Sequence, residues 1–126
     1  MRYINYNHDK GVRAITRKAL TTRSERKKLE LLTSLFGVSV PMASAILMLT
    51  NPKRYGVIDI RVWQLLHKLG SVSTTPSGTG FGFKQWYQFL VLIRYFGRRL
   101  NVSARDVERT LLMTHMRYQK GRLYQR

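Results

Sequence analysis

The sequence predicts an all-α fold, a compact bundle of about six helices in a single domain over residues 1–126. Three observations predict it. Apolar residues recur three and four positions apart through most of the chain, the spacing that places them on one face of an α-helix. No segment alternates apolar and polar residues with the period of two that a half-buried strand needs. Breaks rich in glycine, proline and serine divide the apolar runs into lengths ordinary for globular helices. At 126 residues, 44% of them hydrophobic, the chain is long enough to bury a core of its own.

"VRAITRKAL", residues 12–20, sets Val12, Ile15 and Leu20 among basic residues and predicts a short first helix with one buried face. In "TTRSERKKLELLTSLF", Thr22 or Ser24 is the candidate N-cap, and Leu29, Leu31, Leu32, Leu35 and Phe36 form the apolar stripe of a second helix. That helix stops at "GVSVP", where Gly37 permits a left-handed turn and Pro41 suits the first turn of the next helix. "MASAILMLT" is the third helix. Ala43, Ser44 and Ala45 make it small on one side, which lets another helix or a stretch of backbone come close.

"NPKRYG" interrupts the pattern with Asn51 and Pro52 as a turn signal. "IDIRVWQLLHKLG" reads as a fourth helix, with Asp59 at its N-cap and Gly70 ending it. Residues 71–82, "SVSTTPSGTGFG", form a flexible Ser/Thr/Gly loop. "KQWYQFLVLIRYFGRRL" is an apolar fifth helix. Its Trp86, Tyr87, Tyr95 and Phe96 share it with Leu90, Val91 and Ile93, so they are expected in the core rather than on a base-stacking platform, as is Trp63. "NVSARDVERTLLMTHMRYQKG" is the sixth helix, with Ser103 and Asp106 spaced as a capping pair.

Charge narrows the partners. Twenty-three Lys and Arg stand against six Asp and Glu, for a net charge of +17 and a pI near 11.2. Such self-repulsion favours a polyanionic partner, and nucleic acid leads because neutralising its phosphates releases counterions. An anionic membrane surface or a ribosomal RNA niche would satisfy the charge alone. The cations gather in residues 10–28 and 94–126. The absence of cysteine removes disulfides, Cys-ligated zinc and iron–sulfur clusters. His67 and His115 lack partners at ligand spacing, so no metal site and no cofactor are expected. "GTGFG" follows no strand and lacks a Lys-Ser/Thr, so it reads as linker rather than a phosphate loop. No apolar run approaches the ~20 residues of a membrane span, and "MRYINYNHDK" has no secretory apolar region, so a cytoplasmic location is expected.

The stretch with chemistry in it is "LELLTSLFGVSVPMASAIL". A helix enters a tight turn at Gly37, Val38 and Ser39, and a helix with small residues in its first turns leaves it. The N–H groups of residues 39–43, Pro41 excepted, are then expected at a helix start, Met42 and Ala43 among them. With the positive end of the helix dipole they suit a phosphate. Such contacts go to backbone and would not depend on base sequence. Lys53 and Arg54, in the loop before Asp59, are expected to hold a phosphate near it. Asp59 itself is the only acid between Glu30 and Asp106.

This stretch, with "NPKRYGVIDIRVW" after it, resembles the helix-hairpin-helix of the base-excision DNA glycosylases of the endonuclease III superfamily. In that superfamily a Leu-Pro-Gly-Val-Gly hairpin precedes a helix rich in small residues, and a catalytic aspartate follows in a V-D-T-H-V-like stretch. The resemblance covers roughly residues 29–67, with the motif itself at 28–50, and Asp59 falls on the aspartate's position. It implies a carboxylate that stabilises the positive charge developing on the deoxyribose of a flipped-out nucleotide, or orients the attacking water. Pro41 stands where bifunctional members carry the lyase lysine, Ser39 replaces the second hairpin glycine, and the four cluster cysteines are absent. An active enzyme would therefore be monofunctional. Those enzymes carry several helices before the hairpin and this chain only about 35 residues, so the base pocket is expected to be incomplete, completed by a protein partner, or lost.

Two functions follow as expectations. The first is a DNA glycosylase-like protein acting on double-stranded DNA, with Asp59 catalytic and Gly37, Val38, Ser39, Met42, Ala43, Lys53 and Arg54 on the DNA backbone. The second is a non-catalytic helix-hairpin-helix module binding DNA or RNA, in which Asp59 only caps its helix.

Overall fold

The computed structural model describes residues 9–74 and 80–121. Six helices account for most of them: α1 (Asp9–Thr21), α2 (Glu25–Thr33), α3 (Val40–Thr50), α4 (Ile60–Lys68), α5 (Phe83–Leu100) and α6 (Ala104–Gly121). No strand forms among the described residues, and the protein is all-α.

Local signals set most boundaries. Ser24 caps α2, its hydroxyl accepting the Lys27 N–H at 3.2 Å. Gly70, at φ 81°, closes α4, and Ser71 N–H returns to the Leu66 carbonyl at 2.9 Å. The Ser103 hydroxyl accepts the Asp106 N–H at 3.0 Å and the Asp106 carboxylate accepts the Ser103 N–H at 3.3 Å, a reciprocal cap on α6. Residues 75–79 of the Ser/Thr/Gly loop lie outside the described residues. Its start is anchored, with Val72 buried and the Thr74 carbonyl accepting from the Trp63 indole at 2.9 Å.

Three expectations change. Helix α1 buries Ala19 rather than Leu20, which is exposed, and Val12 and Ile15 are only half-buried. The reason is the packing of α1 on α2, where Lys28 Nζ donates to the Ala19 carbonyl at 3.2 Å and caps the end of α1. Helix α2 ends at Thr33, before Leu35 and Phe36. The Thr33 and Ser34 hydroxyls turn back onto the Leu29 and Leu31 carbonyls at 2.7 and 2.6 Å, and Phe36 is exposed. Helix α5 buries Trp86, Phe89, Leu90, Ile93 and Gly97. That stripe turns Tyr87, Tyr95 and Phe96 outward, each more than two-fifths exposed, so only Trp86 and Trp63 of the named aromatics belong to the core.

The core joins Leu29 and Leu32 of α2, Ala43 and Leu47 of α3, Val62, Trp63 and Leu66 of α4, and Trp86, Phe89, Leu90 and Ile93 of α5. Into it runs the irregular segment 51–59 between α3 and α4, whose Tyr55 and Ile58 are buried. Buried backbone polar groups outside a helix need partners, and here they come from three helices. Pro52 and Lys53 carbonyls accept the Arg105 and Ala104 N–H groups of α6, both at 3.0 Å. The Arg54 carbonyl accepts Arg94 Nε of α5 at 2.8 Å. Val57 N–H donates to the buried Glu108 carboxylate of α6 at 3.1 Å, and Ile58 N–H to Ser44 Oγ of α3 at 3.0 Å. Gly56 permits this: a Cβ there would lie 2.9 Å from Glu108 Cβ.

Candidate nucleic-acid interface

The turn between α2 and α3 is built as its residues dictate. Gly37 takes φ 88°, a conformation that a side chain would strain. Val38 N–H closes the turn on the Leu35 carbonyl at 3.1 Å. Ser39, extended at φ −89° and ψ 172°, caps α3 through its hydroxyl, which accepts the Met42 N–H at 3.3 Å. Its carbonyl accepts the Ala43 N–H at 2.9 Å.

These bonds correct the expected donor set. The Met42 and Ala43 amides are taken by Ser39 itself, and Ala43 is wholly buried. Among the described residues the Ser39 and Val40 N–H groups donate to no protein acceptor, and these two sit at the helix start beside exposed Gly37 and Ser39. Met42 is half exposed, so it offers surface rather than an amide.

Asp59 lies close to this turn in space. Ser44, one turn into α3, donates its hydroxyl hydrogen to the Pro41 carbonyl at 2.7 Å while accepting the Ile58 N–H at 3.0 Å. The residue before Asp59 is thereby fixed to the first turn of α3. Asp59 caps α4: Oδ1 accepts the Arg61 N–H at 2.7 Å and Arg61 Nε at 3.2 Å, and Oδ2 accepts the Arg61 Nη2 at 3.3 Å. Burial alone would raise its carboxyl, but the side-chain and backbone hydrogen bonds from Arg61, and its charge, outweigh that and hold it below the ordinary carboxylate value. Asp59 is thus ionised at neutral pH and already neutralised by its neighbour. His115 of α6 is buried, and burial followed by the Arg61 charge pushes its imidazole down.

Lys53 and Arg54 are not brought to Asp59. They line a cavity of about 230 Å³ with Arg94, Gly97, Arg98 and Asn101. It lies past the far end of α3 from the hairpin, and the 11 residues of that helix span about 16 Å at ~1.5 Å of rise each. A second concavity of about 380 Å³, lined by Leu66, Leu69, Phe96, Leu100, Val107 and Leu111 among others, is mainly apolar. Asp59 lines neither. Among the described residues no three His, Asp or Glu side chains are grouped to hold a metal ion, and no helix is long and apolar enough to cross a membrane.

Several residues that matter here carried no readable signal. Glu25 accepts the Tyr55 hydroxyl at 2.7 Å and pairs with Arg94 at 2.9 Å, and Tyr55 stacks on Trp86 at 6.4 Å between ring centres. Burial, followed by the Glu25 hydrogen bond, pushes the Tyr55 hydroxyl up to about 12. Glu108 pairs with Arg105, and Arg26 with Glu30. Counted with Asp59 and the Asp106 cap, five of the six acids are committed inside the chain, with Arg26, Arg61, Arg94 and Arg105 as the cations of four ion pairs. Comparison with known protein families, curated proteins and solved structures finds no match to this chain.

Proposed function

We propose that this protein is a nucleic-acid-binding module that grips the sugar–phosphate backbone of double-stranded DNA through a helix-hairpin-helix-like turn at Gly37–Ser39. The observation that carries this reading is the charge balance in space. Five of the six acids are consumed by internal pairs and caps, while most of the lysines and arginines among the described residues are exposed without a paired carboxylate. The hairpin adds two amides and the positive end of α3, which suit a phosphate oxygen.

A second reading keeps the chain as a monofunctional DNA glycosylase. It is favoured by the placement of an ionised Asp59 beside the hairpin through the Ser44–Ile58 bond. Against it stand the Arg61 clamp and the absence of Asp59 from both cavities described above. Catalysis would need Arg61 to swing away and other residues, from a partner protein, to enclose the flipped base.

Ser39 offers a direct test. Aspartate is as good an N-cap as serine, so Ser39→Asp keeps α3 while placing a carboxylate where a phosphate would sit. Duplex affinity is expected to fall at least tenfold, with thermal stability unchanged and Ser39→Asn binding like the wild type. Equal affinity for all three proteins would remove the hairpin from the interface.

A further inference from the structure

The cavity beside Lys53 has the makings of a second anion site, and we infer that it binds one phosphate group of a nucleic-acid strand, separately from the hairpin. It deepens the proposed function and rests on it only for the source of the phosphate.

The site is assembled rather than accidental. The carbonyls of Pro52, Lys53 and Arg54 are all turned inward, onto Arg105 N–H, Ala104 N–H and Arg94 Nε. Three successive anchored peptides fix the backbone from which Lys53 and Arg54 project. The opposite wall is the corner between α5 and α6. Gly97 lets it close, since a Cβ there would lie 2.9 Å from the Val102 carbonyl, and Asn101 takes the left-handed conformation at φ 58°. Arg98 and Asn101 stand on that wall.

Four cations line the cavity and no carboxylate does. Arg94 is neutralised from beneath by Glu25. Lys53, Arg54 and Arg98 are exposed and form no ion pair among the described residues. Like charges held together by a rigid frame repel, and an anion between them relieves the repulsion. Helix ends do not decide the matter: the carbonyl end of α5 and the amide end of α6 oppose one another here, and the Ala104 and Arg105 amides are already bonded. The chemistry is that of side chains, with arginine and lysine donors suited to phosphate oxygens.

Size selects the group. About 230 Å³ is below the roughly 300–1,000 Å³ of sites that engulf a whole small molecule. A phosphate fits, and the sugar and base it belongs to would remain outside. The distance of about 16 Å along α3 means that hairpin and cavity hold different phosphates, with Asp59 returning toward the hairpin end.

Inorganic phosphate titrated into isotope-labelled protein tests the cavity without any nucleic acid. Saturable shifts confined to the amides of Gly97, Asn101, Val102 and Ala104, lost in Lys53→Ala/Arg98→Ala, are the expected result. Shifts spread over every basic segment, or none, overturn the site whatever the hairpin does. A duplex arm then decides the source. The double variant should lower the slope of log K against log salt by about 0.9, one phosphate's share. Arg109→Ala/Arg117→Ala, two exposed α6 cations outside the cavity, should change it less. Equal losses in both variants, or an unchanged slope in the cavity variant, overturn nucleic acid as the source.

Discussion

Ser44 Oγ accepts the Ile58 N–H at 3.0 Å and hands its own hydrogen to the Pro41 carbonyl at 2.7 Å. One buried hydroxyl thus ties the start of α3 to the residue before Asp59, and the hairpin and the α4 cap are placed as one unit. Ser44→Ala leaves the Ile58 N–H buried without an acceptor, a loss of about 1–3 kcal/mol. Urea unfolding should show it at constant m. A midpoint unchanged from wild type would mean that the loop finds another acceptor.

Gly56 sits where a side chain has no room. A Cβ would meet Glu108 Cβ at 2.9 Å and Ile93 Cδ1 at 3.0 Å. Gly56→Ala is expected to destabilise by about 1–3 kcal/mol, the usual range for overfilling a packed interior. The same denaturation experiment measures it, and a neutral or stabilising result would contradict the close docking of the loop on α6.

Tyr55 and Glu25 give a pH dependence on the alkaline side. The Tyr55 hydroxyl is pushed up to about 12 in the folded protein, against an ordinary value near ~10. A raised folded value stabilises fully below the unfolded one and is lost as pH rises through the folded one. The stability gap between wild type and Tyr55→Phe, about 1.5–3 kcal/mol for a hydrogen bond to a charged group, should hold to about pH 10 and close toward pH 12. A gap that stays constant from about pH 9 to pH 12 would mean that the hydroxyl titrates in the folded protein as it does in the unfolded chain.

Asp59 gives the opposite dependence. Its folded value is depressed by Arg61, so its contribution is present above the ordinary carboxylate value near ~3.9 and fades as pH falls through the folded one. Asp59→Ala should cost about 1 kcal/mol at pH 7, as for other N-caps. That difference should shrink below about pH 4. A difference independent of pH would mean that the carboxylate is not bonded in its charged form.

Much of the helix scaffold was legible, because caps and breaks act locally. Ser24, Asp59, Gly70 and the Ser103–Asp106 pair each mark the end they were read to mark. The small face of α3 was legible too, and the backbone that approaches it is Ile58. What lies across the chain was hidden. Glu25 and Glu108 meet Tyr55 and Val57 across 30 and 51 residues, and nothing in a helical sequence names such partners. Exposure of Tyr87 and Tyr95 was hidden for a related reason, since an aromatic-rich helix does not disclose which of two apolar faces is covered. Lys53 and Arg54 were read beside Asp59 by adjacency in sequence. The inward bonding of their carbonyls carries them to the corner of α5 and α6 instead.

Affinity across a salt series for three duplexes (intact, abasic, and carrying a cationic pyrrolidine in place of one sugar) tests the central claim most directly. The cationic sugar mimics the charge that builds as a base departs. For a module that holds backbone, the expected result is near-equal affinity for all three and a steep linear fall of log K with log salt. A strong preference for the cationic duplex, lost in Asp59→Asn, would contradict a purely binding role and establish a glycosylase site; no salt-dependent binding to any of them would remove DNA as the partner.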